Sequence, residues 1–214
     1  MDLSVASALL HQQDGVLSRA QAQQCGLDDD DLERLIRRRE LARVHPGVYV
    51  DHTGPPSWPQ LAWAALLFHA PAALADVSAL RAHGIRSVPG ASGSAAGQGT
   101  VHIAVDASRR VVPPPGVVVV RRAGLERRAL MNLSPPRLRP EEALLDVASG
   151  CADESDAVSV LADACQTGAT TTARLHATLV ARPRLPRRRL LLAVLDDVAG
   201  GALSVLERRY LALV

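Results

Sequence analysis

Apolar positions in the first fifty residues fall at helical spacing and then switch to a strand-like alternation. Residues 3–12 predict a short helix with Val5, Leu9 and Ala8 turned inward. Gly15-Val16-Leu17 reads as an extended lead-in. Ser18 and Gln21 have capping-box spacing, and Gly26 supplies the stop for a helix over 19–25. Asp28 caps a second helix reaching residue 39, whose acidic first turn suits the positive end of the helix dipole. Its Leu32, Leu35 and Ile36 form one apolar face, while Arg34, Arg37, Arg38 and Arg39 take the exposed sides and the last turn. Leu41–Val44 then predict a strand, His45-Pro46-Gly47 a turn, and Val48–Val50 a returning strand.

Helix, helix, helix and hairpin in this order is the pattern of a winged helix-turn-helix. In such a unit the helix at 28–39 enters a major groove and the wing lies on the backbone. Arg37 and Arg38 are then candidates for bases or phosphates and Arg43 for a phosphate, with Arg34 and Arg39 as further DNA contacts on the same helix. The charge count pulls the other way, because residues 1–50 hold six arginines and eight acids. On pattern alone DNA binding, protein docking and a purely structural role all stay open.

Residues 51–56 form a linker. Ser57, Pro59 and Gln60 then start a helix with Leu61, Ala64, Ala65 and Phe68 on its face, and Trp58 or Trp63 packs against the neighbouring domain. A short helix over 76–83 ends at Gly84, with His83 as a partner for the negative helix end rather than a base. Residues 87–99 read as a Gly/Ser/Ala surface loop without a phosphate-loop signature. Strands at 100–105 and 117–120 predict a small sheet whose edges carry Arg109, Arg110, Arg121 and Arg122 as auxiliary phosphate contacts. Helices follow at 140–149, 154–166, 171–180, 187–199 and 202–213. The expected fold class is α+β: a winged helix-turn-helix over 1–52, a small mixed α/β domain over 57–150, and a helical C-terminal region over 151–214.

Composition narrows the chemistry. The 214 residues are 48% hydrophobic and 21% charged, a globular balance. Aromatics are 2%, so Leu, Val and Ala must build the core. No apolar run approaches the roughly 20 residues that span a bilayer, and Asp2 without a basic lead argues against a signal peptide. Cys25, Cys151 and Cys165 are far apart and read as small buried residues in a reducing compartment, which places the chain in the cytoplasm. All 24 basic residues are arginine. The absence of lysine excludes Walker-type ATPases, Schiff-base enzymes, Ser-Lys hydrolases and nucleases with a catalytic lysine from this sequence.

The net charge of +2 identifies no partner, but its distribution is uneven. Eight arginines between residues 101 and 139 face only Asp106 and Glu126, and Arg182, Arg184, Arg187, Arg188 and Arg189 form a further cluster. Such clusters are potential phosphate contacts as well as ordinary solvated faces. The seven histidines have no metal-ligand spacing, and Ser78, Ser159 and Ser204 sit in no nucleophile motif. Asp196, Asp197 and Glu207 read as surface carboxylates. Neither a cofactor nor a metal is expected.

The segment GVLSRAQAQQCGLDDDDLERLIRRRELARVHPGVYV, Gly15 to Val50, resembles the N-terminal winged-helix domain of AbiEi-type antitoxins and related actinobacterial regulators. The likeness continues more diffusely through LAWAALLFHAPAALADVSALRAHGI, VHIAVDASRR, GVVVVRR and PRLRPEEALLDVA. It implies an operator-binding module that represses its own operon. It carries that role to the helix from Asp29 to Arg39 and to a wing around Arg43, His45 and Gly47. Long proteins of this kind continue into a domain similar to very-short-patch-repair nucleases. ARPRLPRRRLLLAVLDDVAGGALSVLERRYLAL resembles the approach to that domain, with Glu207 matching its first acidic residue. The sequence stops at Val214, before the acidic pair and lysine of that pattern, and a lone Glu207 cannot charge-balance a catalytic metal.

The expectation is therefore a non-catalytic transcriptional regulator that binds double-stranded DNA, as a homodimer or as a monomer on tandem repeats. The competing readings are a protein-binding antitoxin subunit that holds a toxin encoded nearby, and a nuclease remnant.

Overall fold

A computed structural model of the chain describes residues 2–85 and 99–199. The N-terminus begins with a 3-10 turn, Leu3–Ala6, capped by Asp2, whose carboxylate accepts from the Ser4 N–H at 2.8 Å. It runs into α1, Ser7–Gln12. The single helix expected over 3–12 is thus two pieces. The 3-10 segment winds more tightly than an α-helix, which turns a different set of residues inward. Ala6 and Leu10 are buried, and Val5, expected inside, is 41% exposed.

β1, Val16–Ser18, is a paired strand where the sequence pattern marks only an extended lead-in. Ser18 then caps α2, Arg19–Gln24, and forms the expected capping box with Gln21. The Gln21 side chain also pairs with Gln13, whose amide donates to the Val16 carbonyl at 2.8 Å. One buried amide network thus ties α1, β1 and α2 together. α3, Asp29–Arg37, follows with Asp28 as its N-cap. β2, Ala42–His45, and β3, Val48–Val50, form the hairpin expected over 41–50, with His45 in the strand rather than in the turn. The three strands make an antiparallel sheet in the order β1-β3-β2.

Alternation along this sheet gives its two faces different tasks. Leu17 and Tyr49 join Ala6, Leu10, Ala22, Leu27, Leu32, Leu35 and Leu41 in a small N-terminal core. Val16, Val48 and Val50 point the other way and belong to the large core of the rest of the chain. There they meet α4, Trp58–Phe68, which starts at the expected Ser57/Gln60 capping box. Burial on both sheet faces fixes the N-terminal unit onto α4.

The second body is built on a five-stranded mixed sheet in the order β6-β5-β4-β8-β7. Its strands are β4 (Ala73–Leu74), β5 (Val101–Asp106), β6 (Val117–Arg122), β7 (Ala129–Leu130) and β8 (Arg137–Leu138). Only β5 and β6 are legible in the sequence, because two-residue strands have no measurable period. α5 (Asp76–Ala82) and α6 (Leu125–Arg128) interrupt the strands. α7 (Pro140–Gly150), α8 (Glu154–Gln166), α9 (Thr172–Val180) and α10 (Arg188–Ala199) complete the described chain. The large core runs from Ala62 through Leu145 to Leu195 without a break at residue 150. The expected helix at 202–213, Ser204, Glu207 and nearly all of the loop at 87–99 lie outside the described residues. Among the described residues, no helix is long and apolar enough to cross a membrane.

Candidate nucleic-acid interface

The charge pattern of α3 is resolved by its contacts. At the N-terminus the Asp28 carboxylate accepts from the Asp31 N–H at 2.7 Å, and the Asp31 side chain returns to the Asp28 N–H. Two acids thereby serve the otherwise unbonded donors of the first turn. Asp29 receives both a 2.7 Å bond from Arg19 Nε and a second contact from the same guanidinium. That pair holds the Asp29 carboxyl below the usual carboxylate range and raises the Arg19 guanidinium. Asp31 is also lowered, and it pairs with Arg34 on the same helix. The sequence pattern does not single out Arg19, because a ten-residue separation between opposite charges gives no periodic signal.

The other end of α3 is free of such pairing. Arg37, Arg38 and Arg39 are exposed, and Arg38 forms the helix C-cap. Arg39 has φ +61°, the left-handed conformation that ends helices and favours glycine. The N–H groups of Arg39 and Glu40 close the helix on the carbonyls of Ile36 and Leu35, both at 3.0 Å. Arg43, exposed on β2 opposite Tyr49, continues the basic series into the hairpin. None of these four arginines has a carboxylate partner among the described residues. Gly47, at φ +72°, turns the hairpin, and its carbonyl accepts from the Arg19 N–H at 2.8 Å.

His45 does not stand with them. It is half-buried, with its ring 5.3 Å from that of Phe68 on α4, and burial lowers its pKa. Phe68 in turn meets His69 edge-on at 4.8 Å. The wing residue that the family resemblance nominates is therefore a contact between the hairpin and the second body.

The auxiliary arginines divide in the same way. Arg109 donates to the carbonyls of His69, Ala70 and Pro71 at 2.7, 3.2 and 2.6 Å, clamping the end of α4. Arg122 bonds Asp146 at 2.8 Å and lies 3.9 Å from Asp76. Asp146 also meets Arg182, which reaches Glu142 at 3.1 Å, in a largely buried network. Arg110 and Arg121 remain exposed.

His83 caps α5 with its ring nitrogen 2.8 Å from the Leu138 carbonyl, and burial lowers its pKa. It is a half-buried polar link to β8 rather than a charge for the helix end. The described residues contain no group of three or more His, Cys, Asp or Glu placed to hold a metal. Cys151 is buried as expected, whereas Cys25 and Cys165 are only half-buried; all three are free thiols.

The unit that presents the free arginines coincides with a recognised sequence family. Residues 5–50 match the family model for a transcriptional regulator, the AbiEi antitoxin. The match begins in the N-terminal 3-10 turn and ends on the last residue of β3. It thus takes in the basic end of α3 and the hairpin, and stops short of α4. No curated protein matches the chain.

Proposed function

We propose that residues 2–50 form a winged helix that binds double-stranded DNA, and that the chain is a sequence-specific, antitoxin-like repressor of its own operon in the cytoplasm. The observation that carries the reading is the coincidence of the AbiEi regulator match with the surface bearing unpaired Arg37, Arg38, Arg39 and Arg43. On this reading Arg37 and Arg38 approach bases or phosphates, and Arg39 and Arg43 hold phosphates. Asp28 and Asp31 are directed to capping and Asp29 to Arg19, which leaves the excess of acids in the unit unchanged but sets these three at the opposite end of α3 from Arg37, Arg38 and Arg39. His45 contributes by fixing the hairpin rather than by touching DNA. Arg110 and Arg121 are the auxiliary arginines still open to a phosphate.

The test is titration of the whole protein against its own upstream DNA and against scrambled DNA over a range of salt concentrations. Preference for the upstream fragment, with affinity falling as salt rises, is the expected result. Equal weak binding to both fragments would contradict specificity.

The reading involves no catalysis. The chain has no lysine, and among the described residues its histidines form no nucleophile–base pair with Ser or Cys. Plasmid and linear DNA incubated with the protein and Mg²⁺ or Mn²⁺ should stay intact. Cleavage that disappears in Glu207→Ala would overturn this point.

A second reading is favoured by the antitoxin description of the matched family. In it the second body holds a toxin protein, and DNA binding serves only to control supply. Co-expression with the neighbouring gene product followed by pull-down distinguishes the two, since retention of that product supports a toxin-holding subunit.

A further inference from the structure

β6 is the outermost strand of the five-stranded sheet, and its partner β5 covers only one of its edges. The Gly116 carbonyl accepts from the Val101 N–H at 2.8 Å, and the Arg122 carbonyl accepts from the Ala107 N–H at 3.1 Å. Even-numbered residues of the strand thus turn their backbone groups toward β5. By alternation, those of Val117, Val119 and Arg121 face outward. The Val117 N–H is satisfied by the Pro114 carbonyl at 3.1 Å. Among the described residues, nothing bonds the N–H and C=O groups of Val119 and Arg121 or the C=O of Val117.

The side chains along this edge suit a mate of the same sequence. Residues 117–120 are four consecutive valines, and Val118 is 41% exposed. An edge of this length and composition, unpaired among the described residues, is a template for another strand. We propose that β6 is a homodimer interface, pairing antiparallel with β6 of a second copy about a two-fold axis through Val119.

Backbone parity and charge select that register. A two-fold axis perpendicular to the sheet requires opposed residues to share a face, so the centre must fall on a residue, and Val119 and Val120 are the two central choices. Centring on Val119 bonds the Val119 N–H and C=O reciprocally and joins each Arg121 N–H to the Val117 carbonyl of the second copy. Val118 of each copy then faces Val120 of the other, a β-branched pair. The two Arg121 residues are set four positions apart, roughly 14 Å along the strands. Centring on Val120 would bring them to roughly 7 Å and place Val118 against Arg122. Arg122 is already neutralised by Asp146 in its own chain. The proposal is independent of DNA binding, and its tests need no DNA.

The wild-type protein, measured by light scattering on a sizing column, should have twice the 22.7 kDa chain mass. Val118→Lys, at a partly exposed site, and Val119→Pro, which removes an N–H facing away from β5, should each halve that mass. Their far-ultraviolet circular dichroism should remain native. The double variant Val118→Cys/Val120→Cys should give a disulfide-linked dimer on mild oxidation, since opposed residues of a non-hydrogen-bonded pair lie about 4.5 Å apart at Cα with their side chains close. Wild type serves as the control for Cys25, Cys151 and Cys165. A monomeric wild type, a dimer that persists in both folded variants, or a Val118→Cys/Val120→Cys variant that fails to cross-link would each overturn the proposal.

Discussion

The rings of His45 and Phe68 meet at 5.3 Å with a 45° tilt, joining the end of β2 to the last turn of α4. That contact, with Val16, Val48 and Val50 beneath it, fastens the N-terminal unit to the second body. A hairpin held in this way presents Arg43 from a fixed position, which on the proposed reading favours a defined register on DNA over a swinging contact.

The same contact makes stability depend on pH. Burial lowers the pKa of His45, His69 and His83, with Arg109 and His45 adding to the effect at His69. The folded state therefore holds these rings neutral, while the unfolded chain takes up protons as pH falls through about 6.5. Stability from this source is complete above about pH 6.5 and declines as pH falls toward the lowered folded values. The melting temperature should be lower at about pH 5.5 than at about pH 7.5. His45→Phe, which keeps an aromatic ring and removes the titration, should narrow that gap. An unchanged gap would show that His45 does not contribute to it.

Arg39 gives a substitution with two readouts of opposite sign. Its left-handed backbone costs a non-glycine residue roughly 1 kcal/mol, so Arg39→Gly should stabilise the fold by about that amount in denaturant unfolding. If Arg39 also holds a phosphate, the same variant should weaken binding to all DNA sequences and lower the salt slope by roughly one unit. A variant that is neither more stable nor weaker on DNA would refute both assignments.

The N-terminal cap of α3 predicts a simple loss. Asp28→Ala removes the side-chain acceptor for the Asp31 N–H and should destabilise the protein by about 1 kcal/mol. Chemical denaturation at neutral pH measures this directly.

The second body rests on Asp146, which binds both Arg122 and Arg182. Asp146→Ala leaves two largely buried guanidinium groups without that carboxylate and should cost about 3–5 kcal/mol. Asp146→Asn should cost less, because its amide oxygen still accepts. Equal tolerance of both variants would show that the network contributes little.

How much of the fold is legible in the sequence depends on whether a signal is local. Ser18 with Gln21, Asp28 with Asp31 and Ser57 with Gln60 announce three helix starts, because a capping box is written within four residues. The hairpin at Pro46-Gly47 is legible for the same reason. Leu32 and Leu35 declare the buried face of α3 by spacing alone. β4, β7 and β8 are not legible, since two-residue strands exist only through their pairing with distant neighbours. The role of His45 is equally hidden, for it depends on Phe68, far along the chain. Arginine clusters show where positive charge lies, and only the fold separates Arg109 and Arg122, engaged internally, from exposed Arg110 and Arg121.

The central claim is that the basic end of α3 reads DNA. The direct measurement is fluorescence anisotropy of the upstream fragment and its scrambled counterpart with wild type, Arg37→Ala and Arg38→Ala at several salt concentrations. A phosphate-holding arginine should weaken both fragments alike and reduce the salt slope by roughly one unit, whereas a base-reading arginine should narrow the preference for the upstream fragment. Wild-type preference that is lost or weakened in at least one folded variant is the predicted result. Absence of preference in wild type, or unchanged binding by both variants, would contradict it.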